Sequence, residues 1–258
     1  MDDYGRVIYL DVQKTGSTYI SAFMKAHLNL KQREFNKHAD ARRPIDEDAF
    51  YFASLRNPIH QWLSLYQYGC LRKGLIWKRL HKSAEAAVKY DGSKDDFEHW
   101  CRYALDPANA AVLGGGYEKV ESRLYGLQTF RFLKLCLRNP AQCLSTAVSR
   151  TDLVRVYQEN HFTQYVVQTE TLRADLIDLC NSHLEPFLAD KEKAIAFLQQ
   201  SGKRNISAKP LFTLDDVSPD LTALMRSREW FLFEQFYPYD GDRPQDALPA
   251  HAPRKAAG

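Results

Sequence analysis

Apolar residues along the chain fall into short β-branched runs, each followed by a longer stretch with helical spacing. Residues 6–12 form the first such run, with Val7, Ile8, Tyr9 and Leu10 in succession, as expected for a strand buried inside a parallel sheet. Residues 13–18 are polar with one glycine, and residues 19–30 then place Ile20, Phe23, Met24 and Leu28 at helical spacing. The order recurs: residues 49–55 read as a strand, Arg56-Asn57-Pro58 as a break, and 59–68 as a helix. Pro58 suits a first helical turn, where its missing N–H would be unpaired anyway. Strands alternating with helices predict an α/β fold, a doubly wound parallel sheet flanked by helices. Ligands are then expected at the carboxyl ends of its strands.

Further along, residues 70–113 read as polar and helical, with turn signals at Asp91-Gly92-Ser93 and Asp106-Pro107. Gly114-Gly115-Gly116 reads as a loop, because no strand feeds it as a dinucleotide fingerprint requires. Residues 165–169 read as another strand, and 172–184 and 191–198 as helices. Ser218-Pro219-Asp220 opens a last helix by its cap signals, running to about Phe236 and packing its aromatic residues on the core. Residues 241–258, rich in Pro, Ala and charge, read as a disordered tail. The expected organisation is one domain over 1–240, with a helical insert over 70–120.

Composition narrows the class. A chain of 258 residues, 45% hydrophobic and 26% charged, has ordinary globular values, which exclude a collagen-like, disordered or disulfide-stapled protein. No apolar run reaches 18 residues, so no transmembrane segment is expected. The net charge of +3 is too mild to argue for nucleic-acid binding by bulk attraction. Polar residues at positions 1–6 leave no room for a signal peptide, and five cysteines without a paired spacing read as reduced thiols, so a cytoplasmic setting is expected. No metal-ligand spacing stands out, and no metal is expected.

Two segments carry chemistry. Gln13-Lys14-Thr15-Gly16-Ser17-Thr18 lies between a strand and a helix, where backbone N–H groups converge at the positive end of the helix dipole. Gly16 permits close approach, Lys14 supplies a charge, and the hydroxyls complete an anion site of phosphate type. It is not the nucleotide-triphosphatase P-loop, since Leu10 and Gly16 stand where that motif needs glycine and lysine. The plain alternative is a helix start that happens to be rich in Ser and Thr. The second segment runs from Arg56 to Ser64, where a guanidinium fork and a hydroxyl two turns later can clamp another phosphate. Taken alone, Arg56 reads as a surface arginine, but parallel strands bring both segments to one edge.

Lys14-Thr15-Gly16-Ser17-Thr18 after an apolar strand, with an Arg56-Asn57-Pro58 helix carrying Ser64, resembles the sulfotransferases that use 3′-phosphoadenosine 5′-phosphosulfate (PAPS). The nearest resemblance is to the Golgi-type carbohydrate sulfotransferases and their bacterial relatives. It is strong over residues 6–68, weaker in Val166-Val167-Gln168-Thr169-Glu170-Thr171-Leu172, and weaker again in Gly202-Lys203-Arg204-Asn205-Ile206-Ser207. Gln13 and Ser17 depart from the family's usual proline and second glycine, without removing a charge or donor. The resemblance implies a P-loop-like sulfotransferase fold and PAPS as co-substrate. It assigns the 5′-phosphosulfate to Lys14 and to the amides and hydroxyls of Thr15, Gly16, Ser17 and Thr18. It assigns the 3′-phosphate to Arg56 and Ser64, covered by Lys203 and Arg204. Lys14 would stabilise the leaving phosphate during in-line transfer to a hydroxyl acceptor, expected to be a carbohydrate. His38, where related enzymes can carry a histidine, would be the general base, oriented by Asp40 or a nearby carboxylate. Glu170 reads as a loop organiser and His60 as structural.

The basic run from Arg72 to Lys82 around Trp77 reads either as a lid for an acidic acceptor, such as an anionic glycan, or as a solvated helix face. Two other functions stay open: a small-molecule kinase using ATP, and a non-catalytic module that binds an anionic polymer through this run. Pattern alone leaves the oligomeric state unknown.

Overall fold

The computed structural model describes residues 1–41, 43–83, 86–200 and 210–238. Its strands are β1 (Asp2–Asp3), β2 (Val7–Leu10), β3 (Glu34–Phe35), β4 (Phe50–Leu55) and β5 (Tyr165–Gln168), forming a sheet of order β3-β1-β2-β4-β5. β2, β4 and β5 run parallel, with Leu10 opposite Ala53 and Leu55 opposite Gln168. β1 pairs antiparallel with β2, and β3 pairs antiparallel with β1 at the sheet edge. The expected α/β fold with a parallel sheet flanked by helices is present in β2, β4 and β5, and β1 and β3 add a short antiparallel edge; two-residue strands lie below the length at which alternation is legible.

Helices α1 (Ser17–His27), α2 (Pro58–Cys70), α3 (Leu75–Leu80), α4 (Lys94–Leu105), α5 (Ala110–Leu113), α6 (Leu127–Cys136), α7 (Pro140–Thr146) and α8 (Arg150–Asn160) occupy the chain up to β5. After it come α9 (Leu172–Ser182), α10 (Lys191–Gln200), α11 (Pro219–Arg228) and α12 (Trp230–Phe236). Strand alternation divides them between two faces. Val7, Tyr9, Phe52, Tyr165 and Val167 pack with Phe23, Leu179 and Leu198 from α1, α9 and α10. Ile8, Leu10, Tyr51, Ala53 and Val166 pack with Trp62, Trp100, Leu133 and Phe231 from α2, α4, α6 and α12. The parallel strands are covered on both sides, which is why their sequences are apolar almost throughout.

The region expected as a helical insert holds α3, α4 and α5. The final helix breaks in two at Glu229, whose backbone (φ −100°, ψ 25°) ends α11. The fully buried Glu229 carboxylate accepts from the amides of Gln128 and Thr129 and from the Thr129 hydroxyl, pinning this corner to α6. The expected tail at 241–258 lies outside the described residues.

Candidate functional site

Two left-handed residues shape the loop from β2 to α1, Lys14 at φ 66° and Gly16 at φ 84°. Only glycine takes that region without strain, and a Cβ at Gly16 would come within 3.4 Å of the Leu172 side chain. Gly16 is the N-cap of α1, with no side-chain cap and no acidic residue in the first turn. The first-turn amides of Ser17 and Thr18 therefore face an open end at the positive pole of the helix dipole.

Thr15 behaves otherwise. Its side chain is fully buried, and its hydroxyl donates to the Val12 carbonyl at 2.7 Å. With its one proton so used, it accepts from Ser54 (2.5 Å), which in turn accepts from Tyr9 (2.6 Å). This relay fastens the loop to β2 and β4. The expected hydroxyl contact from Thr15 to a ligand is thus replaced by an internal bond, leaving its amide alone for that role.

Arg56 follows β4 at the same sheet edge. Asn57 caps α2 by accepting from the Ile59 amide at 3.0 Å, with Pro58 in the first turn. His60, Ser64 and Tyr68, spaced by four, share the helix face that lines the cavity, while Ile59, Trp62 and Tyr66 point into the core. The Lys14 ammonium sits 4.3 Å from the centre of the Tyr68 ring, and Gln61 donates to the Gln13 carbonyl at 2.6 Å, joining the two segments. Burial first, and then the Arg56 charge, push Lys14 below the ordinary lysine value. Burial also lowers Arg56, against the pull of Glu170 and Tyr237. Two desolvated cations that repel each other make a site that gains by accepting an anion.

Glu170 is tied down. It accepts from the Asn57 amide at 2.9 Å and from the Tyr237 hydroxyl at 3.2 Å, and lies 3.5 Å from His60 Nδ1. Burial would raise its carboxyl, yet the bonds from His60 and Asn57 outweigh that and hold it low.

His38 stands over the β2 end with its ring about a third exposed, at 35%. Its Nδ1 is 3.0 Å from the Asp11 carbonyl oxygen and 3.1 Å from the Asp11 carboxylate, and its backbone amide donates to that carboxylate at 2.8 Å. Both partners of Nδ1 are acceptors, so Nδ1 keeps the proton and the neutral ring carries its lone pair on Nε2. Asp11, not Asp40, orients the imidazole; Asp40 pairs with Lys134 at 3.6 Å. Burial would raise Asp11, but the hydrogen bond from His38 and the neighbouring amino-terminal charge hold it below the usual value.

One cavity of about 1880 Å³ gathers these groups. Lys14, Gly16, Ser17, Thr18, His38, Arg56 and Ser64 all line it, with Lys78 and Arg79 of the basic run and Arg131 and Lys134 of α6. Thr15 does not. Lys203 and Arg204 lie outside the described residues. Sequence reasoning missed Asp11, whose signal was a carboxylate directly at a strand end. It also missed Arg131, because the periodicity of residues 127–136 had not been assigned to a helix. Among the described residues no group of three or more His, Cys, Asp or Glu is arranged to hold a metal ion, and no helix is long and apolar enough to cross a membrane.

Residues 1–115 match the family model described as the sulfotransferase family. That stretch contains β1 to β4, α1, α2 and both cation-bearing segments. Neither the curated proteins nor the solved structures yield a match to the chain. Over its first 115 residues, which build the anion-adapted edge of the sheet, the chain is similar to the sulfotransferase family.

Proposed function

We propose that the protein transfers a sulfuryl group from PAPS to a hydroxyl group of a carbohydrate acceptor. The observation that carries this reading is the meeting of Lys14, the open amides of α1, Arg56 with Ser64, and the Asp11–His38 pair around one cavity. Such a set suits a nucleotide with phosphates at two ends. Lys14, the amides of residues 15–18 and the hydroxyls of Ser17 and Thr18 would hold the 5′-phosphosulfate. Arg56 and Ser64 would hold the 3′-phosphate, with Lys203 and Arg204 covering it.

In the reaction the acceptor oxygen forms a bond to sulfur as the bond from sulfur to the bridging phosphate oxygen breaks. The hydroxyl proton passes to Nε2 of His38, whose imidazolium is stabilised by Asp11. Negative charge gathers on the departing 5′-phosphate, where Lys14 neutralises it. Base assistance and charge neutralisation are each worth roughly 10²–10³-fold in rate. Five cysteines without disulfides support a cytoplasmic setting.

Incubation with radiolabelled PAPS and a panel of glycans, lipids and phenols tests the reading. Label should pass to a glycan with the wild type and not with Lys14→Ala. A wild type that binds the nucleotide tightly yet labels nothing would leave only nucleotide binding.

A further inference from the structure

The cavity holds a second cationic pair. Arg79 of α3 and Arg131 of α6 both line it. Each has a guanidinium Nη1 that is buried and without a hydrogen-bond partner among the described residues. A buried donor left unpaired is unfavourable, the more so when charged. The two groups also repel: burial first, and then the Arg79 charge, bring Arg131 down to about 10. Glu229, the carboxylate that acts on Arg131 from the other side, is occupied by Gln128 and Thr129.

Two further features look built. Gly114, at φ 56°, lies so close to Arg79 that an added Cβ would fall 2.5 Å from its Nη1. The guanidinium therefore rests against bare backbone that only glycine supplies. Lys134, one turn beyond Arg131 and on the same wall, pairs with Asp40, two residues from His38. The α6 wall that carries Arg131 is thereby joined to the loop that carries His38.

We propose that Arg79 and Arg131 form an oxyanion subsite for a carboxylate, sulfate or phosphate group on the acceptor. The acceptor is then an acidic hydroxyl compound rather than a neutral one. Two planar forks can each give paired hydrogen bonds to such a group, satisfying the orphaned donors and cancelling their repulsion together. The proposal deepens, and rests on, the sulfuryl-transfer reading, since it supposes that the acceptor enters beside His38.

The test is titration of the whole chain with sodium sulfate, against sodium chloride at equal ionic strength, with and without saturating 3′-phosphoadenosine 5′-phosphate (PAP), read by calorimetry and thermal unfolding. Sulfate should bind in the presence of PAP. Arg79→Gln and Arg131→Gln should each weaken it by about tenfold or more while leaving PAP affinity unchanged. Should Arg131→Gln fail to fold, Arg79→Gln and Arg79→Lys carry the comparison, the lysine keeping charge but losing the fork. In labelled transfer, Arg79→Gln should raise KM for acidic acceptors and leave it unchanged for neutral ones. Sulfate acting no better than chloride, unchanged sulfate binding in the variants, or a matching loss of PAP affinity would overturn the subsite. A wild type that binds sulfate through this pair but does not bind PAP would instead sink the transfer reading while the anion subsite stands.

Discussion

Lys14, His38 and Arg56 differ in what surrounds them, and the difference separates their expected phenotypes. Lys14 is half-buried against Tyr68 and beside Arg56, so in the proposed reaction its removal would take away charge where the leaving group would form. Lys14→Ala should lower kcat by roughly 10²–10³-fold in a labelled-transfer assay. Among the described residues the hydrogen bonds of His38 run to Asp11 and not to the 14–18 loop that the nucleotide would need. His38→Ala should therefore lower kcat by about 10²-fold or more while calorimetry finds PAP affinity unchanged. Equal losses of kcat and PAP affinity would move His38 from base to nucleotide ligand. Asp11→Asn removes the carboxylate charge beside the imidazole but keeps the residue-11 backbone carbonyl on Nδ1, and should reduce kcat less than loss of the ring itself.

At the scale of elements, the β2–α1 loop works because it is anchored from beneath. Thr15→Val cuts the relay from Tyr9 through Ser54 to the Val12 carbonyl and leaves the loop amides in place. It should cost about 1 kcal/mol of stability in urea unfolding with little change in PAP affinity. A large loss of affinity without loss of stability would mean that this hydroxyl faces the ligand after all. The strand ends and their helices were legible because a doubly covered parallel strand is apolar at every position and the helix that follows is amphipathic. Asn57-Pro58 marked its helix start outright. Thr15 was misread because a hydroxyl in a polar loop carries no signal of which way it turns. Glu229 was missed as a helix break because the reason for the break, three donors from α6, lies a hundred residues away in the chain. The Arg79 and Arg131 pair was equally invisible, since it exists only once α3 and α6 face each other.

For the whole molecule, acid sensitivity should trace to the same edge of the sheet. Asp11 and Glu170 are each held below the ordinary carboxyl values of 3.8 and 4.5. Groups lowered on folding add stability that is complete above those values and is lost as pH falls through the folded ones. Urea midpoints should hold steady down to about pH 4.5 and decline below it, and the decline should shrink in Asp11→Asn and Glu170→Gln. A decline just as steep in Asp11→Asn and Glu170→Gln would contradict these carboxylates' role in fixing the site.

The account as a whole depends on one nucleotide spanning the ends of β2 and β4. The most direct measurement is a crystal structure of the chain with PAP. The account predicts the 5′-phosphate on Lys14 and the amides at the start of α1, the 3′-phosphate on Arg56 and Ser64, and His38 Nε2 facing the space beyond the 5′-phosphate. A nucleotide that leaves either corner untouched, or sits elsewhere in the cavity, would contradict it.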